Sequence, residues 1–275
     1  MITTEIMGGL GNQLFQIFCL ISYSLDNDMN FYFQDKEITA GHRKIKYWDD
    51  YLVKLKNYIC SPKPIYGELR EKNFTFSNMP PIQDKTKNYN IRGYFQSYKY
   101  FNKNYNKILE ITGALDNLDK YKDLYDYGNI ISMHFRLGDY KTKQNFHPLV
   151  PTDYYVNSLK FIKSYTEKDT WKILCFYEDE DKETIDVMIN EMREIHNIEL
   201  EFIFMDNSKY KDWEQVLIMS LCHHNIIANS SYSWWGGYFN SNKDKIVCYP
   251  TVWFGSIANH DTKDLCPDEW EEIFW

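Results

Sequence analysis

The chain has 275 residues, 44% of them hydrophobic and 25% charged, which fits one large or two modest globular domains and excludes a disordered chain. Its 31 basic and 39 acidic residues leave a net charge of −8, the wrong sign for a protein that binds nucleic acid through its overall field. The 23 Tyr, 17 Phe and 8 Trp make up 17%, a content that serves a large aromatic core or stacking on sugar faces.

No run of about 18 apolar residues is present, so no membrane-spanning helix is expected. Met1 to Gly11 lacks the basic start, apolar stretch and small-residue cleavage site of a secretory signal. The six cysteines (Cys19, Cys60, Cys175, Cys222, Cys248 and Cys266) are scattered, mostly in apolar runs, and read as buried free thiols of a reducing compartment. No CxxC or HxxxH pair offers a zinc site. Asn73-Phe74-Thr75 and Asn229-Ser230-Ser231 match the glycosylation pattern and, without a signal, read as chance matches.

In chain order, Thr3 to Met7 reads as a short strand, Gly8 to Asn12 as a glycine loop, and Gln13 to Leu25 as a helix with apolar residues at helical spacing. From about Asp35 to Asn90 the chain is rich in Lys, Tyr and Pro, and its weak period leaves the order unread. From Asn129 the rhythm is regular. Strands are expected at Asn129–Phe135, Trp171–Tyr177, Leu200–Met205, Asn225–Ala228 and, as the last, Lys245–Tyr249. Helices are expected at Thr152–Tyr165 with Thr152 as cap, and at Glu183–His196, Asp212–Cys222 and Ser231–Phe239. The alternation predicts a parallel sheet covered on both faces, and the same pattern at the N-terminus predicts a second such unit facing it. Ligands of these folds sit at the carboxyl ends of strands, which directs attention to the loops after Met7, Phe135, Tyr177, Met205 and Ala228.

Four constellations fall on those loops. Gly8-Gly9-Leu10-Gly11-Asn12 lets a ligand approach the backbone at a helix start, though Leu14 stands where a dinucleotide fingerprint needs glycine; a tight turn without ligand explains it equally. His134-Phe135-Arg136-Leu137-Gly138-Asp139 places Arg136, one of five arginines, at a strand end; it suits bidentate phosphate binding, or a surface ion pair of Arg136 with Asp139 above a buried His134. Asn229, Ser230, Ser231 and Tyr232 join a strand to a helix N-terminus and form an anion site or a simple cap, with Trp234 and Trp235 read as core. Asp179 and Asp181 have the spacing of a metal-binding acidic pair, but acidic residues before a helix are also ordinary first-turn chemistry, the preferred reading. His223-His224 reads as a surface feature at a strand entry.

Taken in order, Met7–Gln16, Arg92–Phe101, His134–Tyr140, Met219–Asn225 and Ile226–Gly236 resemble glycosyltransferase family 11, the α-1,2-fucosyltransferases, over nearly the whole chain. The resemblance implies two facing Rossmann-like units with parallel sheets (the B-type glycosyltransferase fold), with residues 1–125 on the acceptor side and 126–275 binding the GDP-sugar. It implies inverting, metal-independent transfer of L-fucose from GDP-fucose to the 2-hydroxyl of a galactose-containing glycan, with no cofactor. Carried over, Arg136 holds the donor phosphates, His134 is its strand neighbour, and Ser230, Ser231 and Tyr232, with Asn229 before them, wrap the diphosphate. Gly8, Gly9, Gly11 and Asn12 face the donor sugar, and Glu178 and Asp179 lie where guanine recognition is expected. Asp139, just past Arg136, is the first candidate for general base, with a salt-bridge anchor or turn residue as alternatives. Two departures stand out: Leu137 replaces a second arginine, and Phe176-Tyr177-Glu178-Asp179 replaces a Phe-Ser-Asp-Asp strand end. The alternatives are a metal-dependent transferase of another nucleotide sugar using Asp179 and Asp181, and a non-catalytic glycan-binding protein. The expected location is cytoplasmic, with peripheral membrane association left open.

Overall fold

The computed structural model describes residues 1–36, 45–258 and 260–275. They form two compact units, one of Met1–Asp116 with His260–Pro267 and one of Asn117–Asn259 with Asp268–Trp275. The sequence reading divided the chain once, at 125/126; the return of 260–267 to the first unit had no counterpart in it.

The first unit contains β1 (Ile2–Thr4), α1 (Leu10–Asp26), β2 (Phe33–Gln34), β3 (Ile59–Cys60), β4 (Gly67–Arg70), β5 (Tyr89–Arg92) and α2 (Tyr105–Thr112). Its main sheet runs β1-β5-β4, all parallel, and β2 pairs with β3 in parallel. α1 is apolar on nearly every side and is buried from Leu10 to Ser24 except at Asn12, as an all-round apolar helix must be. Phe18 meets Phe101 edge to face at 5.4 Å beneath it. The segment 260–267 is tied to this unit by Asp264, which accepts from the Phe76 amide at 3.1 Å and pairs with Lys99, and by His260 stacked on Phe74 at 4.9 Å. Of the stretch left unread in the sequence, residues 37–44 lie outside the described residues.

The second unit contains β6 (Ile130–His134), α3 (Thr152–Thr166), β7 (Lys172–Phe176), α4 (Lys182–Glu194), β8 (Glu201–Phe204), α5 (Asp212–Leu221), β9 (His224–Ile226), α6 (Ser231–Phe239), β10 (Val247–Pro250) and β11 (Glu271–Ile273). Its parallel six-stranded sheet runs β11-β10-β9-β6-β7-β8. The chain moves outward from β6 through β7 to β8, then crosses back to β9 and continues to β11. The order therefore reverses between β6 and β9, and the crevice at the carboxyl ends of those two strands is the ligand position of doubly wound sheets.

The aromatic content serves this core. Tyr154 and Tyr155 of α3 are fully buried, and Trp234 and Trp235 are too. Full burial of a side chain of that size is worth roughly 1.5–3 kcal/mol. The Tyr154 hydroxyl donates to the carbonyls of Ile227 (2.6 Å) and Cys248 (2.9 Å), and the Tyr155 hydroxyl to that of His134 (3.1 Å). These bonds fix the strand ends from which the site loops depart. All six cysteines are free, five of them buried.

Three expectations are corrected. Thr152 is the first residue of α3 after Pro151; its hydroxyl donates to Glu191 at 2.5 Å instead of capping the helix. β10 is followed by a further strand, β11, which the sequence reading lacked. His224 is not a surface feature: it is buried within β9, and its Nδ1 accepts from the Ile246 amide at 3.0 Å.

Candidate functional site

The loop after β6 leaves the middle of the sheet and is held by ions. Arg136 donates through Nη1 to Glu178 Oε1 (2.6 Å) and through Nη2 to Asp139 Oδ1 (2.5 Å). Its guanidinium also lies 5.1 Å from the Tyr140 ring centre. Burial alone would lower the Arg136 pKa, but Glu178, Tyr140 and Asp139 outweigh it and keep the group charged. Lys143 pairs with the other Asp139 oxygen at 3.2 Å. From the β7–α4 connection, the fully buried Asp181 accepts from the Gly138 amide at 2.7 Å and pairs with Lys141 at 2.7 Å.

The loop after β9 meets it across the reversal of strand order. The Tyr140 hydroxyl donates to the Asn229 carbonyl at 3.2 Å. Asn229 is itself buried, and its amide donates to the carbonyls of Pro148 (2.9 Å) and Trp253 (3.2 Å), so its side chain staples neighbouring loops. Ser230 is the N-cap of α6 and accepts from the Tyr232 amide at 3.3 Å, while Ser231 begins the helix. The Tyr232 hydroxyl donates to the Asp212 carbonyl at 2.8 Å. His134, at the end of β6, is buried, with its Nδ1 2.9 Å from the Ser233 hydroxyl. Burial, reinforced by the Arg136 charge, pushes its pKa down to about 3, so the ring is neutral. The second unit thus brings His134, Arg136, Asp139, Glu178 and the Asn229–Tyr232 segment to one edge of the sheet.

Asp179 is not part of that cluster. It is exposed and accepts from the Asn207 amide at 2.6 Å, while Asp181 is enclosed by Lys141 and the Gly138 amide. The acidic pair therefore does not present two carboxylates together. Among the described residues, no group of three or more His, Cys, Asp or Glu side chains converges as a metal site. Leu137 packs in the core with Phe135, so this position does not face an anion as the loop runs here.

In the first unit, the loop between β1 and α1 is held by amides. Gln16 exchanges two hydrogen bonds with the Met7 backbone (2.8 and 3.2 Å), and Gln13 donates to the Gly8 and Ile45 carbonyls (2.9 and 2.8 Å). Gly8 takes a φ of +78°, open to glycine, with Asn12 packed against it. Gly9 is the N-cap of α1, and a Cβ built there meets nothing within 4 Å. Gly11 is buried in the first turn, and Asn12 Oδ1 accepts from Gln96 at 2.7 Å.

The sequence reading weighs Asp181 as one arm of a metal pair and gives no role to Lys141, Tyr140, Gln13, Gln16 or Gln96; in the structure all six act as fasteners. Gln13 and Gln16 are marked in the sequence as polar residues inside the apolar helical pattern of α1.

A doubly wound parallel sheet with an arginine and a capped helix N-terminus at its switch point, in a chain that also holds a second parallel unit, is the architecture of the B-type glycosyltransferase class. The family model of glycosyl transferase family 11 matches residues 1–273, and the chain belongs to that family. It is 28% identical to the O-antigen biosynthesis glycosyltransferase WbnK of Escherichia coli, over 96% of this chain and 98% of that one. It is 25% identical to an alpha-1,2-colitosyltransferase of Escherichia coli, over 99% and 98% respectively. In fold it is similar to the fucosyltransferase NodZ from Bradyrhizobium, with a TM-score of 0.50 and 8% identity over 86% of this chain and 92% of that one. The protein is thus a fucosyltransferase-like glycosyltransferase. No helix among the described residues is long and apolar enough to cross a membrane.

Proposed function

We propose that the enzyme transfers L-fucose from GDP-fucose to the 2-hydroxyl of a galactoside with inversion and without a metal. The observation that carries the reading is Arg136 at the carboxyl end of β6, beside the Ser230-capped start of α6. In the reaction, the acceptor oxygen bonds to the sugar C1 as the bond from C1 to the β-phosphate oxygen breaks. GDP departs with the electron pair, and the acceptor proton passes to a base. Arg136 and the α6 N-terminus are aimed at the charge that grows on the leaving diphosphate. The Arg136 edge that would grip the diphosphate is held by two carboxylates, Glu178 and Asp139.

Asp139 cannot accept a proton easily while both its oxygens face cations. An arriving diphosphate competes for Arg136, and its capture of that edge releases Asp139 to serve as base. His134, neutral and bonded to Ser233, supports the first turn of α6. Metal independence is supported by the enclosure of Asp181, which removes one arm of the acidic pair. Glu178, bonded to Arg136, meets the donor through that arginine, and Asp179 lies outside the cluster.

A second reading, transfer of colitose in α-1,2 linkage, is favoured by the colitosyltransferase relative. The test is a thermal shift in EDTA against GDP-fucose, GDP-mannose and UDP-galactose, followed by an acceptor screen. A ligand at about 100 times its dissociation constant stabilises by ~2.7 kcal/mol. A shift with GDP-fucose alone is expected. A shift only with a UDP-sugar and added manganese would move the assignment to Asp179 and Asp181. Glycan affinity without any GDP-sugar affinity would make the protein a binding module.

A further inference from the structure

The motif from Arg92 to Phe101 is given no role in the proposed transfer, although its Gln96 bonds to Asn12. It starts where β5 ends, at the carboxyl edge of the β1-β5-β4 sheet, the ligand edge of a parallel unit. Glu71 is the first residue beyond the adjacent β4, and its amide donates to the Arg92 carbonyl at 2.9 Å. Its Oε2 accepts from the amides of Tyr94 (2.8 Å) and Phe95 (3.1 Å). Its Oε1 is buried without a partner. Gly93 lies against this side chain: a Cβ there would collide with Glu71 Cβ and reach within 2.6 Å of Oε2, so only glycine leaves the carboxylate in place.

Phe95 has a φ of +53°, a conformation that bulky residues rarely adopt. The reversal buries Phe95 completely, turns Gln96 onto Asn12 at 2.7 Å, and leaves Tyr94 41% exposed. Burial pushes the Glu71 carboxyl up, against the pull of the two amides. A buried carboxylate with an unpaired oxygen and a left-handed phenylalanine both oppose stability. A turn built only for stability would place Gly or Asn at 95, and strain of this kind gathers at functional positions.

We propose that Tyr94 is the ring on which a pyranose of the acceptor glycan stacks, and that Glu71 is the positioning residue that holds it there by fixing the Gly93–Gln96 turn. The inference rests on the glycosyl-transfer reading and adds an acceptor subsite to it. A pyranose presents an apolar C–H face to an aromatic ring and hydroxyls to the polar groups around it. The Asn12–Gln96 amide pair on the same turn offers neutral polar groups for those hydroxyls.

The test measures acceptor KM and, separately, GDP-fucose affinity by thermal shift. Tyr94→Ala should raise acceptor KM about tenfold, the scale of one lost aromatic stacking contact, with GDP-fucose affinity unchanged. Tyr94→Phe should keep the wild-type KM. Glu71→Ala should match Tyr94→Ala, and Glu71→Gln, whose amide oxygen accepts the same two bonds, should restore it. The double variant with both alanines should be no worse than either single one. An unchanged acceptor KM in Tyr94→Ala, or additive effects in the double variant, overturns the proposal. Tyr94 is on the surface, so its variants remain informative even where Glu71→Ala fails to fold. Saturation-transfer NMR with a galactoside reads the subsite without any donor. Signal lost in Tyr94→Ala supports it even where GDP-fucose gives no transfer, a result that would count against the donor assignment alone. Equal signal in both proteins overturns the subsite.

Discussion

The loop after β6 is held by ions and the loop after β1 by amides. Around the first, Arg136, Lys141 and Lys143 are matched by Asp139, Glu178 and Asp181, three charges against three. Around the second, Gln13, Gln16, Gln96 and Asn12 bond to backbone and to each other, with a single longer ion pair, Glu5–Arg92 at 3.6 Å, where the loop begins. A balanced ionic loop accepts an anion only by exchanging one carboxylate for it, so anion binding there rearranges the site. An amide loop takes a neutral ligand with no change of charge. On the proposed function, the two strand-end loops suit ligands of different charge, a nucleotide diphosphate and a sugar.

The largest expected effect breaks the ionic side. Arg136→Ala should lower kcat/KM by ~10²–10³, the usual loss of one preorganised donor at a developing oxyanion. Arg136→Lys should fail nearly as badly, because an ammonium cannot hold Glu178, Asp139 and a phosphate edge with one planar fork. Steady-state kinetics with GDP-fucose check this, and retention of most activity by Arg136→Ala would remove the arginine from the mechanism.

The amide side is probed by Gly9→Ala. A Cβ at Gly9 meets nothing within 4 Å, so the melting temperature should hold. Where a ligand passes over this backbone, the added methyl should cost at least about tenfold in kcat/KM, the scale of roughly 1.4 kcal/mol. Full activity in Gly9→Ala would make the glycine a turn residue only.

Legibility in the sequence follows the same division. Arg136, Asp139 and Ser230 could be picked out because each ends or follows an apolar run that reads as a strand, so topology alone put them at the ligand edge. The Arg136–Glu178 bond spans 42 positions and the Lys141–Asp181 pair 40, and no local pattern announces either. β7 and α4 were legible within a few residues because apolar periodicity marks them. β4 (Gly-Glu-Leu-Arg) and β11 (Glu-Glu-Ile) carry one core-type residue each and exist because a neighbouring strand supplies their partners, a tertiary effect.

A smaller effect is set by burial instead of by loop chemistry. His134 and His224 are each pushed down to about 3 by burial. Their folded pKa lies below the unfolded value of about 6.5. The neutral rings therefore support folding fully above that value, and the support is lost as pH falls from there toward 3. Each contributes up to about 1.4 kcal/mol per pH unit within that window. Melting curves from pH 7 to 4 should steepen accordingly, and His134→Gln should show a shallower slope than the wild type. An unchanged slope would mean that His134 is charged in the folded protein, with its Nδ1 donating to the Ser233 hydroxyl.

The smallest effect on stability separates two duties of one residue. Ser230 caps α6, and Ser230→Ala should cost about 1 kcal/mol, read as a lowered melting temperature. Ser230→Asp should not, because aspartate caps as well as serine and its charge suits a helix N-terminus. The same negative charge repels a diphosphate, and at about 4 Å near a protein surface two unit charges interact by about 4 kcal/mol. Ser230→Asp should therefore melt no lower than the wild type while its GDP-fucose affinity falls at least about tenfold. Equal affinity in Ser230→Asp would show that Ser230 only caps the helix, and the ionic loop around Arg136 would then have to hold the diphosphate without α6.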